Sequence, residues 1–252
     1  MPQVVAAGHA LEYQILDGAE PVLVFLHEGL GSIRQWRDFP RKVAAATGCR
    51  ALIYDRYGYG NSDVLAEPRA GVRFMHDGAL RELPALLRAL RVENPILVGH
   101  SDGASIALIY AGSFPVRGLV VMAPHVFVEE FNLGSIRKIT ASFETSGLME
   151  GLAKYHRDAA STFRLWSGAW LDPEFLRWNI EEYLPGIGCP LLAIQGESDE
   201  YGTMAQLEAI ARQVQGPCEL VKLADCGHAP FRDQPELVLN SVSSFIRKLL
   251  NE

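Results

Sequence analysis

The chain lacks the sequence features of a membrane protein and of an exported one. Among its 252 residues, no apolar run approaches the roughly 18 residues that a membrane span requires. The first residues, MPQVV, carry no basic group and lead into no long apolar segment, so we predict no signal peptide. We therefore expect a cytoplasmic protein with no membrane partner.

Cysteine is scarce, and no metal-binding pattern is present in the sequence. None of the four cysteines (Cys49, Cys189, Cys218 and Cys226) belongs to a C-x-x-C pair, which favours reduced structural thiols. No two of the seven histidines stand four residues apart with acidic neighbours, as many zinc sites require. We accordingly predict no metal and no cofactor.

An excess of positive charge is also missing. The chain has 23 Lys and Arg against 30 Asp and Glu, a formal charge of −7. Nucleic acids and anionic membranes attract basic patches, so this composition argues against both as partners. The length and the 48% hydrophobic content suffice to bury one sizeable core.

Short apolar runs alternate with longer amphipathic segments along most of the chain. Most of the runs are continuously apolar, which is typical of strands buried on both faces of a parallel sheet. The alternation predicts an α/β fold with a mostly parallel central sheet and helices on both faces. The predicted strands are 22–26, 51–54, 96–99, 119–122, 191–195 and 219–223, preceded by a hairpin of 3–7 and 11–16. The predicted helices are 35–46, 72–90, 102–111, 204–214 and 235–250.

The alternation stops between residues 125 and 185. This segment shows helical patterns without a strand and holds three of the four tryptophans, Trp166, Trp170 and Trp178. We predict a helical cap (lid) over residues 125–185, inserted into a core made of residues 1–124 and 186–252. The oligomeric state is not predicted by any sequence feature.

Gly99-His100-Ser101-Asp102-Gly103 follows the apolar run of residues 96–98 and opens a stretch of small residues. The order strand, sharp turn, helix would place Ser101 at the apex of the turn, with its hydroxyl exposed at the sheet edge. Glycines on both sides permit so tight a turn. Ser101 is therefore the candidate nucleophile. His100, between glycine and serine, is expected to pack away from the pocket.

A serine hydroxyl needs a base to accept its proton and an acid to orient that base. Asp199 ends the turn after the strand 191–195, and His228 lies in the loop after the strand 219–223. The order serine, acid, histidine is the one expected for this type of sheet. Glu197 is the alternative acid, whereas Asp225 more plausibly shapes the histidine loop.

The segment His27-Glu28-Gly29-Leu30-Gly31-Ser32 directly follows the strand 22–26. A glycine-containing loop at that point can direct a backbone N–H at the nucleophile. The predicted oxyanion hole consists of the N–H groups of Gly29 and Asp102. His27 is expected to support this loop rather than to transfer protons.

Together these motifs resemble the α/β-hydrolase fold superfamily, in particular its small lidded esterases and C–C hydrolases. The resemblance spans nearly the whole chain and implies attack by Ser101, proton transfer by His228, orientation by Asp199 and no cofactor. Members usually carry glycine where Glu28 stands, and we expect Glu28 to pair with Arg34 or Arg56 rather than to face the pocket. They usually carry an apolar residue at position 102, where the carboxylate of Asp102 either reaches the pocket or only hydrogen-bonds the loop.

We predict that the pocket is lined by Leu30, His125, Trp166 and Trp170. For His125 a place in a surface loop is an equal alternative, and His9, His76 and His156 are expected to be ordinary surface or helix residues. The predicted function is hydrolysis of small to medium carboxylic esters through an acyl-enzyme. Alternatives are a C–C hydrolase, a lactonase or a thioesterase. The C–C hydrolases usually carry an aromatic residue where Ala229 stands, which disfavours that reading. A ligand receptor with little turnover is the alternative of another class.

Overall fold

The computed structural model describes residues 1–65 and 71–251, and an eight-stranded sheet forms its centre. The strands are β1 (Gln3–Ala6), β2 (His9–Leu16), β3 (Ala19–Leu26), β4 (Cys49–Tyr54), β5 (Ile96–His100), β6 (Gly118–Met122), β7 (Leu191–Gly196) and β8 (Cys218–Leu223). Each predicted strand is present, and most are fully buried because their apolar runs lie inside the sheet.

The strand order across the sheet is β1-β2-β4-β3-β5-β6-β7-β8. β1 and β2 pair antiparallel, β2 is antiparallel to β4, and every later neighbouring pair is parallel. Leu26 pairs with Gly99, so β3 and β5 end side by side. The loops that follow these strands therefore meet at one edge of the sheet, as ligand sites do in parallel sheets.

Helices cover both faces of the sheet. The helices are α1 (Phe39–Thr47), α2 (Phe74–Asp77), α3 (Leu83–Ala89), α4 (Asp102–Ser113), α5 (Glu130–Ala141), α6 (Leu148–Leu152), α7 (Ala159–Trp170), α8 (Ala205–Gln213), α9 (Pro230–Asp233) and α10 (Pro235–Leu250). A π-helical turn over Gly78–Glu82 joins α2 to α3, and 3-10 turns occupy Ile33–Trp36, Pro173–Arg177 and Glu181–Gly186. In the described part of the chain, no helix has the length and apolarity needed to cross a bilayer.

Alternate residues of β3 point into two separate cores. Val24 and Leu26 pack with α3 and α4 on one face. Leu23 and Phe25 pack with α1 and α10 on the other. This division follows from the period of two in a strand. It confirms the predicted fold class, an α/β sheet with helices on both sides.

Two predicted helices differ from the structure in their bounds. The helix predicted over 35–46 begins only at Phe39, because Arg37 has a φ of 55° and separates a 3-10 turn from α1. The helix predicted over 72–90 is divided by the π-helical turn that precedes Pro84. Proline removes a backbone donor within a helix, and the apolar periodicity did not show the change of winding.

The segment between β6 and β7 contains α5, α6, α7 and two of the 3-10 turns. Its two ends are joined by an isolated antiparallel bridge between Phe127 and Asn179. Phe163, Trp170 and Phe175 are buried there and join the core on the α4 face of the sheet. The helices therefore lie over the edge at which β3 and β5 end. Their role as a lid stays a prediction.

Candidate active site

Ser101 occupies the turn between β5 and α4 in a strained conformation, with φ 52° and ψ −121°. A non-glycine residue in such a region costs of the order of 1–3 kcal/mol and persists only when neighbours hold it. Here the Ser101 N–H donates to Met122 O at 2.9 Å, while the Ala104 N–H donates to Ser101 O at 2.9 Å. The hydrogen bonds on both sides of the turn hold the hydroxyl at the sheet edge.

Gly99 and Gly103 are required by close backbone approach. A Cβ on Gly99 would lie 2.5 Å from the carbonyl oxygen of Gly103, and a Cβ on Gly103 would overlap the carbonyl oxygen of Leu26. A side chain at position 103 would therefore push helix α4 away from the end of β3. The two glycines allow helix and strand to pack closely enough for Ser101 to reach its neighbours.

The structure brings together the three side chains predicted to form a triad. His228 Nε2 lies 2.8 Å from Ser101 Oγ, and His228 Nδ1 lies 2.8 Å from Asp199 Oδ1. With the proton of the neutral imidazole on Nδ1, Nε2 is free to accept the hydroxyl proton of Ser101. No comparable contact to His228 is made by Glu197, the alternative acid, among the described residues. The arrangement can activate the hydroxyl as a nucleophile.

Asp199 is held by three neighbours. The Tyr201 N–H donates to its Oδ1 at 2.8 Å, the Gln195 Nε2 lies 3.2 Å from its Oδ2, and His228 completes the set. Burial alone would raise the pKa of Asp199, but the charge and hydrogen bond of His228 outweigh burial and lower it. The acid is therefore ionised at neutral pH.

Burial disfavours the charged form of His228, yet the carboxylate of Asp199 outweighs this and raises the pKa of His228 above 6.5. Glu200 and Glu28 add to the effect. The pKa of His228 is therefore displaced upward from that of a free imidazole, because three acids act on one ring.

The predicted oxyanion donors are free of competing acceptors. Within residues 1–65 and 71–251, neither the Gly29 N–H nor the Asp102 N–H donates to a protein acceptor. The Asp102 N–H belongs to the first turn of α4, where N–H groups have no partner within the helix. Gly29 lies in the loop after β3 and Asp102 at the start of α4, and both elements meet at the sheet edge where Ser101 stands.

Gly29 is packed directly beneath the cap. A Cβ at this position would overlap the Trp166 indole at Nε1 and would lie 2.8 Å from Asp102 Oδ2. Trp166 belongs to α7, so this contact joins the cap helix to the loop after β3. Only glycine leaves room for the ring.

Glu28 pairs with a residue that the sequence did not suggest. Its Oε1 lies 3.0 Å from Arg232 Nη2, on α9, and its Oε2 lies 3.4 Å from His100 Nδ1. The expected pairing with Arg34 or Arg56 is wrong: Arg34 donates to Lys154 O and Arg56 Nη2 to the backbone O of Glu28. Arg232 follows His228 closely in the chain, but only the fold turns α9 back toward β3.

His100 is buried and connects Glu28 with the histidine loop. Its Nε2 lies 2.7 Å from His228 O, and its ring packs edge-on against Phe231. The expectation that His100 points away from the pocket agrees with its absence from the cavity lining. It holds the backbone of His228.

His27 holds the oxyanion loop, as expected. Its Nδ1 lies 2.7 Å from Glu28 O, and its Nε2 accepts the Arg56 N–H at 3.1 Å. These two bonds require the neutral Nδ1–H form. Burial lowers the pKa of His27 well below 6.5, which maintains that form.

Asp102 is fully buried and reaches the cavity, so the structure favours the first of the two readings. Trp170 Nε1 donates to its Oδ1 at 3.2 Å, and Arg56 Nη2 lies 4.0 Å from its Oδ2. Burial raises the pKa of Asp102 to about 6, even though Arg56 opposes the rise. Its charge is thus partly balanced inside the protein.

A cavity of about 120 Å³ opens at Ser101 and His228. All four residues predicted to bind substrate line it: Leu30, His125, Trp166 and Trp170. His125 is buried rather than in a surface loop, and burial lowers its pKa to about 3. The remaining lining residues are Glu28, Gly29, Asp102, Asn132, Ile136 and Tyr201.

Sequence reasoning missed Asn132, Ile136 and Tyr201 as cavity residues. Asn132 and Ile136 stand one turn apart on α5 and so share a face of that helix. The spacing is visible in the sequence, but nothing there shows which face of α5 turns toward Ser101. The Tyr201 ring lies 4.7 Å from the His228 ring and closes the cavity beside the acid loop.

His156 is not the ordinary surface or helix residue expected from the sequence. It is buried, its Nδ1 accepts the Gly60 N–H at 2.9 Å, and its Nε2 lies 3.0 Å from Leu30 O. It therefore joins the cap to the two loops after β3 and β4. A lone histidine between basic residues gives no sequence signal for such a bridge.

The four cysteines are free, two of them buried. Within the described ranges, no cluster of His, Cys, Asp and Glu has the geometry to hold a metal ion.

Comparison with known proteins agrees with this geometry. The model of the Alpha/beta hydrolase family matches residues 23–241. The chain is 24% identical to a curated protein from Salmonella agona named 2-succinyl-6-hydroxy-2,4-cyclohexadiene-1-carboxylate synthase, over 90% of this chain and 94% of that protein. Both the glycine-flanked serine turn and the late histidine loop lie inside the matched residues.

Two solved structures are similar over nearly their whole length. A meta-cleavage product hydrolase from Pseudomonas fluorescens is 17% identical, with a TM-score of 0.77 and 98% of each chain covered. A thermophilic esterase from Thermogutta terrifontis is 19% identical, with a TM-score of 0.72 and 99% of each chain covered. At these identities the likeness shows the shared fold.

Proposed function

The chain belongs to the alpha/beta hydrolase family, and from this premise we propose that it is a serine hydrolase that cleaves small to medium carboxylic esters through an acyl-enzyme. The observation that carries the proposal is the continuous chain of contacts from Ser101 Oγ through His228 to Asp199, each 2.8 Å long. A neutral imidazole at hydrogen-bond distance is what a serine nucleophile needs.

In the first half of the proposed reaction, Ser101 Oγ attacks the ester carbonyl carbon and its proton passes to His228 Nε2. The negative charge that develops on the carbonyl oxygen is stabilised by the N–H groups of Gly29 and Asp102. Each such donor typically contributes about 2.7–4 kcal/mol to transition-state stabilisation. The imidazolium then protonates the alkoxide leaving group, and the acyl group stays on Ser101.

In the second half, a water molecule gives its proton to His228 Nε2 and attacks the acyl carbon. The tetrahedral intermediate collapses, Ser101 Oγ recovers the proton, and the carboxylic acid leaves. Asp199 keeps the imidazole in the Nδ1–H form through both halves. Neither half uses a metal or an organic cofactor in this scheme.

The cavity favours some substrates over others. Its volume of about 120 Å³ suits a small group, and Trp166, Trp170 and Leu30 supply an apolar wall. Among the residues that the structure describes, neither Lys nor Arg lines it, whereas Glu28 and Asp102 do. A ligand with carboxylates, such as the compound in the name of the Salmonella agona synthase, would meet acidic groups rather than basic ones among the described lining residues.

The test is hydrolysis of p-nitrophenyl esters of increasing acyl length, with a thioester, a lactone and a ring-fission dienone in the same panel. We expect a burst of p-nitrophenol equal to the enzyme concentration, followed by slower turnover, and loss of both in Ser101→Ala. Near-full ester turnover by Ser101→Ala contradicts the proposal. Fast turnover of another panel member alone replaces the ester assignment, and a burst without turnover favours a receptor.

A further inference from the structure

Asn132, in the third helical position of α5, is a fully buried polar residue at the wall of the cavity. Neither its Oδ1 nor its Nδ2 has a hydrogen-bond partner within the described residues. Burying an amide without partners costs free energy, so native structures seldom leave both of its atoms unpaired. Beside Ser101, an amide with both atoms unpaired can form hydrogen bonds with a ligand that enters the cavity.

His125 is a second unpaired group of the same cavity. Its Nδ1 is buried without a partner, while its ring packs edge-on against Trp170 at 5.1 Å. Its backbone is fixed, because Ser105 Oγ lies 3.1 Å from the His125 N and 2.7 Å from the His125 O. The imidazole is thus held in place by packing and main-chain bonds, with its Nδ1 available to a ligand.

The start of α5 is anchored firmly to the core. The Asn132 N–H donates to Glu129 O at 3.1 Å, and the Glu129 carboxylate accepts from the Thr203 N–H at 3.0 Å and from Gln206 Nε2 at 2.8 Å. Gln206 Oε1 also accepts the Val126 N–H at 2.7 Å. Asn132 therefore sits on a fixed helix end, as a residue that selects substrate should.

The charges of the cavity decide what kind of group fits. A carboxylate would lie beside the buried carboxyl group of Asp102, and among the described residues neither Lys nor Arg lines the cavity. A cation would leave the Nδ2 donors of Asn132 unmatched. An uncharged group that both donates and accepts a hydrogen bond, such as a hydroxyl, matches the amide and a neutral imidazole together.

We propose that Asn132, together with His125, binds an uncharged hydrogen-bonding group of the substrate, so that the preferred esters carry a hydroxyl a few bonds from the scissile carbonyl. This inference rests on the proposed function, since it assigns the substrate class of the same site. The cavity would then have two walls, an apolar one from α7 and a polar one from α5 and the segment before it.

Binding is measured in the Ser101→Ala background, where turnover does not interfere, by the fluorescence of Trp166 and Trp170. Two isosteric pairs are compared: methyl glycolate with methyl propanoate for the acyl side, and hydroxyethyl propanoate with propyl propanoate for the alcohol side. We expect the hydroxyl member of one pair to bind about fivefold more tightly, the typical net effect of one hydrogen bond. Adding Asn132→Leu should abolish that ratio, and the control Ile136→Val should keep it.

The melting temperature of Asn132→Leu separates ligand binding from a structural role. Removal of an unpaired buried amide should leave it unchanged or raise it. If Asn132→Leu fails to fold, Asn132→Ala takes its place in both measurements. The inference is overturned if the ratio of affinities for the hydroxyl and methyl compounds is the same after the substitution, or if neither compound binds detectably. The second outcome includes the case in which only water pairs with the amide. Turnover by the protein with Ser101 intact is scored separately, so the proposed function stands or fails independently.

Discussion

Glu28→Gln should destabilise the protein, although glutamine has nearly the same size as glutamate and would occupy the same place relative to Ser101. Glu28 is mostly buried and its Oε1 lies 3.0 Å from Arg232 Nη2. At that separation two unit charges attract by about 5.5 kcal/mol if the effective dielectric constant is about 20. The desolvation of Glu28 and the hydrogen bond that glutamine retains offset more than half of this. We expect a net loss of about 2 kcal/mol in the free energy of unfolding.

The assay is thermal and urea unfolding, with Glu219→Gln as the matched control. Glu219 pairs with Lys248 at 2.8 Å, but both side chains are about half exposed, so its loss should cost less than about 1 kcal/mol. For a chain of this length, about 2 kcal/mol lowers the melting temperature by about 4–8 °C. A Glu28→Gln variant with the same melting temperature as the Glu219→Gln control would refute the assignment of Glu28 as the buried partner of an ion pair.

The same experiment has a pH dependence of known sign. Burial would raise the pKa of Glu28, but the neighbouring His100 ring and the charge of Arg232 outweigh it and lower the pKa far below 4.5. A depressed folded-state pKa stabilises the protein above the unfolded-state pKa and loses that contribution as pH falls. The stability gap between wild type and Glu28→Gln should therefore be widest near neutral pH and narrow below about pH 4.5.

Three further outcomes are expected. Asp199→Asn should lower kcat by about 10³–10⁴, because the amide no longer fixes the tautomer of His228; near-normal turnover in steady-state assays would contradict this. kcat/KM should rise with pH through a midpoint above 6.5, because only neutral His228 accepts a proton and Asp199 raises the pKa of His228. Asp199→Asn should move that midpoint down, and an unmoved midpoint in a pH–rate profile would contradict the pairing of Asp199 with His228. Gly103→Ala should lower the free energy of unfolding by more than about 3 kcal/mol or prevent folding, because the new Cβ would overlap the Leu26 carbonyl. Gly134 is exposed on α5 with open space around it, so Gly134→Ala should instead raise the free energy of unfolding, measured in urea, by about 0.5–1 kcal/mol.

Sequence patterns predicted the sheet because its strands are continuous apolar runs such as residues 96–99, and such runs are typical of strands buried on both faces of a sheet. The three residues brought together at Ser101 could also be predicted, since each follows a strand and the strands of a parallel sheet end at one edge. The parallel strand arrangement brings residues that are far apart in the chain to one edge of the sheet. No contact between individual residues therefore had to be known in advance.

The surroundings of the site could not be predicted in the same way. The ion pair of Glu28 with Arg232 depends on the direction in which α9 returns, and the bridge made by His156 depends on how the cap meets two loops. Both are contacts between elements that lie far apart in the sequence, and no hydrophobic periodicity connects these elements. Asn132 was missed for a related reason, because an amphipathic helix shows that it has two faces but not which partner each face meets.

The central claim is that the fold makes the hydroxyl of Ser101 chemically reactive. The most direct measurement is labelling of the intact protein by a fluorophosphonate, with the modified residue located by peptide mass spectrometry. The account predicts one phosphonylated residue, Ser101, formed rapidly near neutral pH and slowly once His228 is replaced by alanine. Labelling at another serine, or a rate at Ser101 that does not change in His228→Ala, would contradict it.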